Sequence, residues 1–311
     1  MNIQTPTPTS RAADVVTSVL ATVQDKSVQI KLALAAMVSG GHVLIEDAPG
    51  MGKTSLARAL AFHLQLDWKR LQCTNDTTPS DIVGVNVFDP QSGGFSFREG
   101  PVFTHLLLAD ELNRAPSKSQ SALLEAMAER QTTIDGVAHS LPNPFIVIAT
   151  QNPTEQIGVS PLPESQLDRF AVSFDLGLPS QETEAAILRT AKAGEEVFEH
   201  GTPVLAAGEF ETLRKNCKET VFNDVMIGYV QALAGRLRQT GFPALSVRAL
   251  IQIKGLAQAH AMIDRRTYCI PEDVQAVLLA GLQHRLGQGG SGNRAANREV
   301  ISTLLHEVNV P

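Results

Sequence analysis

Cysteine is scarce and scattered in this chain. Cys73, Cys217 and Cys269 are odd in number and form no C-x-x-C pair. That argues against a disulfide framework or a thiolate zinc site and fits a reducing compartment. The eight histidines include no H-E-x-x-H, so a catalytic metal held by protein side chains is not expected. Basic excess is absent too: 26 Lys and Arg face 32 Asp and Glu, a net charge of −6. No nucleic-acid partner is expected, because gripping a phosphate backbone draws on a basic face. No apolar run approaches the roughly 20 residues that span a bilayer. The polar opening, Met1-Asn-Ile-Gln-Thr-Pro-Thr-Pro-Thr-Ser10, lacks the basic-then-apolar order of a secretory leader. The chain reads as soluble and cytoplasmic, with a frayed tail over 1–12 and no internal repeats.

What is present is an alternation of strand and helix signals. Helical periodicity runs over 10–39 and stops at Gly40-Gly41. Short apolar runs at 43–45, 106–109, 144–149 and 172–174 read as strands, those at 106–109 and 144–149 as buried parallel ones, and 68–73 reads as a second strand. Helices follow the first of them and cover 117–129. The stretch 79–100 alternates around 83–88 and 94–97 and predicts a hairpin, and 132–144 carries turn signals at Asp135-Gly136. After Leu178 the pattern changes to helices alone, at 181–191, 209–218, 224–239, 247–264, 272–286 and 297–307, with a glycine-rich stretch at 288–293 before the last. The predicted fold class is α/β. A parallel sheet covered on both faces fills 13–179, and a smaller all-helical unit fills 180–311. The run Asp264-Arg-Arg-Thr267 reads as a solvated helix end.

The chemistry concentrates in a few strings. Val43-Leu-Ile-Glu-Asp-Ala-Pro-Gly-Met-Gly-Lys-Thr54 is a strand, a glycine loop and the start of the helix Ser55-Leu-Ala-Arg-Ala-Leu-Ala-Phe62. This order cradles phosphates: main-chain N–H groups converge, the helix dipole adds positive charge, and a lysine reaches the terminal phosphates. The cradle comprises Asp47, Ala48, Pro49, Gly50, Met51, Gly52, Lys53, Thr54 and Ser55. Asp47 stands where G-x-x-x-x-G-K-T has its first glycine, and Asp tolerates the positive φ of a tight turn. A carboxylate there is expected to weaken nucleotide binding. Asp110 and Glu111 close a buried strand at the sheet edge where ligands bind. Asp110, with the Thr54 hydroxyl, would serve Mg²⁺, and Glu111 would polarise an attacking water. Asn152, at the end of Phe145-Ile-Val-Ile-Ala-Thr-Gln-Asn152, would bring an amide near the γ-phosphate. Arg169, in Leu162-Pro-Glu-Ser-Gln-Leu-Asp-Arg-Phe170, can project from a subunit flank. Arg248 opens a helix, where the dipole disfavours a cation unless an anion is near, and the nucleotide would be that anion. Each string has a plainer reading on its own: a Gly/Pro turn, a strand ending in solvated carboxylates, an Asn-Pro turn, a surface ion pair.

In this order, Asp110-Glu-Leu-Asn-Arg-Ala-Pro-Ser-Lys-Ser-Gln-Ser-Ala-Leu-Leu-Glu-Ala-Met127, Ile148-Ala-Thr-Gln-Asn-Pro-Thr-Glu-Gln156 and Leu162-Pro-Glu-Ser-Gln-Leu-Asp-Arg-Phe170 resemble the AAA+ ATPases, and within them the MoxR family, over 41–286. The resemblance implies a P-loop AAA+ core with a helical lid, a hexameric ring, and ATP hydrolysis with Mg²⁺. It further implies chaperone-like remodelling of a client and a partner with a von Willebrand factor A domain. By resemblance, Lys53 and Thr54 belong to the phosphate loop, Asp110 and Glu111 to the Mg²⁺ and water site, Asn152 to the first sensor, Arg169 to the arginine finger and Arg248 to the second sensor. Residues 133–144 resemble the family's extra insert, and 80–101 a second projecting loop. The chain departs at Asp47 and at Gly158-Val-Ser-Pro161, which lacks the aromatic residue usual before that proline. Alternative readings are a P-loop kinase or switch, a DNA-associated motor, and a nucleotide-binding module with slow hydrolysis.

Overall fold

The computed structural model describes residues 8–91, 93–152, 162–190, 201–239, 245–286 and 294–311. The departure at 158–161 and the glycine-rich stretch at 288–293 lie outside them. Two helices come first, α1 (Pro8–Thr22) and α2 (Ser27–Ser39). Helix α1 starts inside the stretch read as tail, with a proline at the position whose N–H is idle anyway. The single helical run expected over 10–39 is broken because Asp25 takes a left-handed φ of 62°. Gly40, also left-handed, closes α2: its N–H donates to the Met37 carbonyl and that of Gly41 to the Ala36 carbonyl. Then follow β1 (His42–Glu46), α3 (Lys53–Leu64), β2 (Trp68–Gln72) and α4 (Pro79–Val83). The expected hairpin is β3 (Gly84–Asp89) with β4 (Gly94–Glu99), antiparallel. Next are β5 (Leu106–Asp110), α5 (Ser117–Glu129) and a second hairpin, β6 (Gln131–Ile134) with β7 (Val137–Ser140). The two hairpins lean together: Asn86 Nδ2 donates to Asp135 Oδ2 at 2.7 Å, and Phe97 stacks on His139. Strand β8 (Ile146–Gln151), the short α6 (Glu164–Leu167) and β9 (Phe170–Phe174) complete the α/β part.

β2, β5, β8, β1 and β9, in that spatial order, form one five-stranded parallel sheet. The period of two along each strand divides its side chains between two cores. Val43, Ile45, Leu106, Leu108, Ile146 and Ile148 face a core shared with α1, α2 and α3. Leu44, Leu107, Ala109, Val147 and Ala149 face Leu123, Leu124 and Met127 of α5. The sheet is therefore covered on both sides, as continuous apolar strands require.

From Gln181 the described elements are helices: α7 (Gln181–Thr190), α8 (Glu209–Glu219), α9 (Asp224–Gln239), α10 (Val247–Ile263), α11 (Pro271–Leu282) and α12 (Arg294–Glu307). α10 packs on α2 and α11 on β9, so this part shares the first core. The run at 264–267 is the expected exposed helix end at Asp264, Arg265 and Thr267, but not at Arg266. Arg265 turns left-handed at φ 62°, and Arg266 folds inward to grip the fully buried Asp273 through both oxygens at 2.5 and 2.6 Å. His260 Nδ1 at 2.7 Å and the Ile270 amide at 2.8 Å complete the set. Burial alone would raise the Asp273 carboxyl, but Arg266, His260 and the Ile270 amide outweigh it and hold it down at about 2. A depressed carboxyl stabilises the fold above its unfolded value near 4 and loses that contribution as pH falls toward 2. Asp273→Ala should lower stability by about 3 kcal/mol at neutral pH, since it strands a guanidinium half inside the protein. Urea unfolding at pH 7 and at pH 3 checks this, with a smaller difference between the variants expected at the lower pH.

Candidate functional site

The loop between β1 and α3 has the shape its glycines allow. Gly50 and Gly52 sit at φ 85° and 82°, where side chains are strained. A Cβ on either would meet nothing within 4 Å, so conformation and not crowding requires glycine, and the space above the loop is open. Gly52 caps α3, which turns the free N–H groups of Lys53, Thr54 and Ser55 toward that space. Lys53 is buried, and its Nζ donates to the Asp47 carbonyl at 2.6 Å. Burial pushes its ammonium below the usual lysine range, opposed by the charges of Asp110, Asp47 and Glu111 close by.

Asp47 differs from the expectation. It is not among the described residues with positive φ, so tolerance of that region is not what Asp provides here. Its carboxylate accepts three main-chain N–H groups: Ala48 at 2.8 Å through Oδ1, and Leu176 at 3.0 Å and Gly177 at 2.8 Å through Oδ2.

Parallel strands bring the acidic pair and the amide to the same edge. Asp110 ends β5 with Oδ1 accepting from Thr150 Oγ1 at 2.6 Å and Oδ2 from Arg70 at 2.7 Å. A carboxylate has about four lone-pair sites, so room for a cation remains. Glu111 turns left-handed at φ 55°, with its N–H on Thr150 Oγ1 at 2.9 Å. That turn sends its side chain among Asn152 Nδ2 at 3.2 Å, Gln72 Nε2 at 3.1 Å and Arg114 Nε at 3.1 Å. Asn152 is fixed from below by Asn113, whose Nδ2 donates to its carbonyl at 3.0 Å. Among the described residues, the buried Asn152 Oδ1 has no hydrogen-bond partner. Open space over the loop, free lone pairs on Asp110, the neighbouring Thr54 hydroxyl and this orphan acceptor fit a nucleotide with Mg²⁺.

Arg70, Gln72, Arg114 and Asn113 were not singled out from the sequence. The signal was there for Arg70 and Gln72: they are two apart on β2, hence on one side of it, and β2 pairs with β5 so that Gln72 lies opposite Asp110.

The two remaining arginines lie elsewhere. Phe170 pairs with His42 at the start of β1, whereas Glu46, at its end, pairs with Gln151. Arg169 thus sits at the opposite edge of the sheet from the phosphate loop, about 15 Å away at ~3.3 Å per strand residue. It is half-buried, and its guanidinium donates to the Leu124 carbonyl at 2.7 Å. Arg248 is on the same edge. Among the described residues, Asp168 faces the first turn of α10, 4.0 Å from Arg248 and 3.3 Å from Ser246 Oγ. The buried Arg285 holds Asp168 at 2.9 Å. The Arg248 side chain is 60% exposed, with Val247 and Ile251 exposed beside it.

Comparison with known proteins agrees with this geometry. Residues 42–172 match the ATPase family associated with various cellular activities (AAA), and 239–304 match the AAA lid domain. The Bacillus subtilis (strain 168) protein YeaC, itself uncharacterized, is 41% identical over 82% of this chain and 80% of its own. Chaperone MoxR1 of Mycobacterium tuberculosis is 36% identical over 89% of this chain and 76% of its own. A crystal structure of a candidate ATPase from Cytophaga hutchinsonii covers 98% of this chain and 96% of its own, with a TM-score of 0.86 and 33% identity.

Proposed function

Because the chain belongs to the MoxR family of AAA+ ATPases, we propose that it hydrolyses ATP at sites shared between neighbouring copies and uses the energy to remodel a client protein. One observation carries this reading: a phosphate loop, an acidic pair and an amide at one sheet edge, and two arginines at the other. A cation beyond reach of its own nucleotide completes a site only in a neighbour. In each copy the loop amides from Gly50 to Ser55 and Lys53 bind the phosphates. Thr54 and Asp110 would hold Mg²⁺, which would supply charge neutralisation for the phosphates. Glu111, steered by Asn152, orients the attacking water and draws its proton. Arg169, with Arg248 beside it, comes from the next copy and balances charge at the transferred phosphoryl group.

The assembly is a ring, hexameric as in the family resemblance, and the client role follows the chaperone designation of the mycobacterial relative. A von Willebrand factor A domain protein is the companion that the same resemblance implies. No described helix is long and apolar enough to cross a membrane.

Activity per subunit should rise with protein concentration, in step with an ATP-dependent rise in native mass. Flat activity from a species that stays monomeric with ATP would sink the shared-site reading. Val247 and Ile251 are 72% and 64% exposed on the arginine-bearing flank, where a second copy would cover them. The double change Val247→Glu with Ile251→Glu should lower activity at least about tenfold through lost assembly, because charge in a desolvated contact costs several kcal/mol. Light scattering with ATP reads the loss directly.

A further inference from the structure

Asp47 occupies a glycine's place but makes contacts that glycine cannot. Its Oδ2 receives the N–H groups of Leu176 and Gly177, just past the end of β9. Its carbonyl receives Lys53 Nζ, and its own N–H donates to the Gln151 carbonyl at 3.2 Å, one residue before Asn152. One residue therefore joins the phosphate-gripping lysine, the strand that delivers the sensing amide, and the segment that leads out of the sheet. That segment is tied along its length. Ser173 Oγ donates to Glu46 at 2.6 Å, Lys26 Nζ to the Leu178 carbonyl at 2.8 Å, and Ser180 Oγ to Asp25 at 2.7 Å. Helix α7 begins at the next residue, Gln181. The break between α1 and α2, which supplies Asp25 and Lys26, thus forms the far side of a strap over 173–180, and Asp47 forms the near side.

We propose that Asp47 is a positioning residue that couples the phosphate loop to this strap, so that nucleotide in the loop steadies the path into the helical part. The proposal rests on the ATP reading above. The loop works only while its N–H groups converge, and its first residue is where the chain leaves the sheet and gains freedom. Charge-assisted bonds from the carboxylate to two amides fix that point from outside the loop. Coupling of this kind is reciprocal: whatever orders the loop orders the strap, and loosening the strap weakens nucleotide binding. Removing the carboxylate leaves the Leu176 and Gly177 amides without this partner and frees the loop to wander. Simple charge repulsion argues the other way, because deleting an anion beside the phosphates would tighten binding. The two accounts differ in sign.

The test titrates mant-ATP with Mg²⁺ into the full chain and into Asp47→Ala, Asp47→Gly and Asp47→Asn, and follows amide exchange of peptides over 173–180 with and without saturating nucleotide. In the unaltered chain, nucleotide should slow exchange there about fivefold or more. The alanine and glycine variants should bind about tenfold more weakly and lose the slowing even at saturation. Asparagine, which keeps an acceptor for the two amides, should retain most of both. Glycine is the residue that the common pattern places here, so it carries the test should the alanine variant fail to fold. Binding by the glycine variant as tight as or tighter than that of the unaltered chain overturns the proposal, and so does slowing that persists without the carboxylate. An unaltered chain that does not take up mant-ATP would instead bring down the ATP reading, and the coupling with it.

Discussion

Glu111→Gln should leave ATP bound and nearly stop its hydrolysis. The substitution keeps size and shape, and its amide oxygen can still accept from Gln72 and Arg114, while its NH2 group gives up the bond from Asn152. It removes the one property a water-activating group needs, a basic oxygen. Losing a positioned general base costs roughly 10²–10⁴ in rate. The phosphate-binding parts are untouched: Lys53 keeps its bond to the Asp47 carbonyl, and Gly50 and Gly52 keep their φ values. Affinity for ATP should change no more than about threefold, well under the 1.4 kcal/mol that a tenfold change represents. Single-turnover hydrolysis beside equilibrium binding separates the two quantities. A variant that turns over ATP at the original rate would show that Glu111 is not the base, and its left-handed turn would need another explanation.

Arg169→Ala should be nearly as inactive, for a different reason. A cation delivered across a subunit boundary is worth roughly 10³–10⁵ in P-loop enzymes. Its loss should lower kcat far more than it raises KM, because the charge it balances develops only as the phosphoryl group moves. Mixing this variant with Glu111→Gln gives the stronger result. Where a nucleotide held by the Arg169→Ala chain meets an arginine from the Glu111→Gln chain, both missing groups are restored. The mixture should therefore recover activity that neither variant shows alone. No recovery, with mixed oligomers verified by mass, would rule out action between copies. Arg169 also donates to the Leu124 carbonyl, so thermal unfolding of the single variant must accompany the assay. A large fall in stability would point to a role in docking α6 against α5.

The sequence already contained the order of elements, because each strand is a short apolar run and each helix has its own period. Leu106 to Ala109 followed by Asp110 and Glu111 is legible since burial ends where charge begins, and the structure has all five residues from Leu106 to Asp110 buried. The break before α2 was hidden because Gln24, Asp25 and Lys26 look like the polar face of a continuing helix. Asp25 is left-handed and its carboxylate accepts from Ser180, 155 residues on, a partner invisible to local periodicity. Arg70 and Gln72 were missed because an edge strand with charged residues reads as solvent-facing. Only the pairing of β2 with β5 turns them toward Asp110 and Glu111. Asp47 stands out in the motif, but the positive φ its place suggests is absent, and its carboxylate accepts from amides beyond β9 that lie far along the chain. Likewise Arg266 looked like a helix-end cation until Asp273 arrived beneath it from the next helix.

If the centres are shared between copies as proposed, the separation of donor and recipient along the strands constrains how copies can be counted. A contact that joins one face to a different face cannot satisfy two partners at once, as a two-fold pairing would. Two joined copies would own a single finished catalytic centre, with one terminal loop lacking its guanidinium and one terminal guanidinium lacking its loop. Every copy added to an open row would complete one more centre and leave the same pair of loose ends. Only closure would remove them, so the last subunit to join would contribute two working centres where each earlier one after the first contributed one.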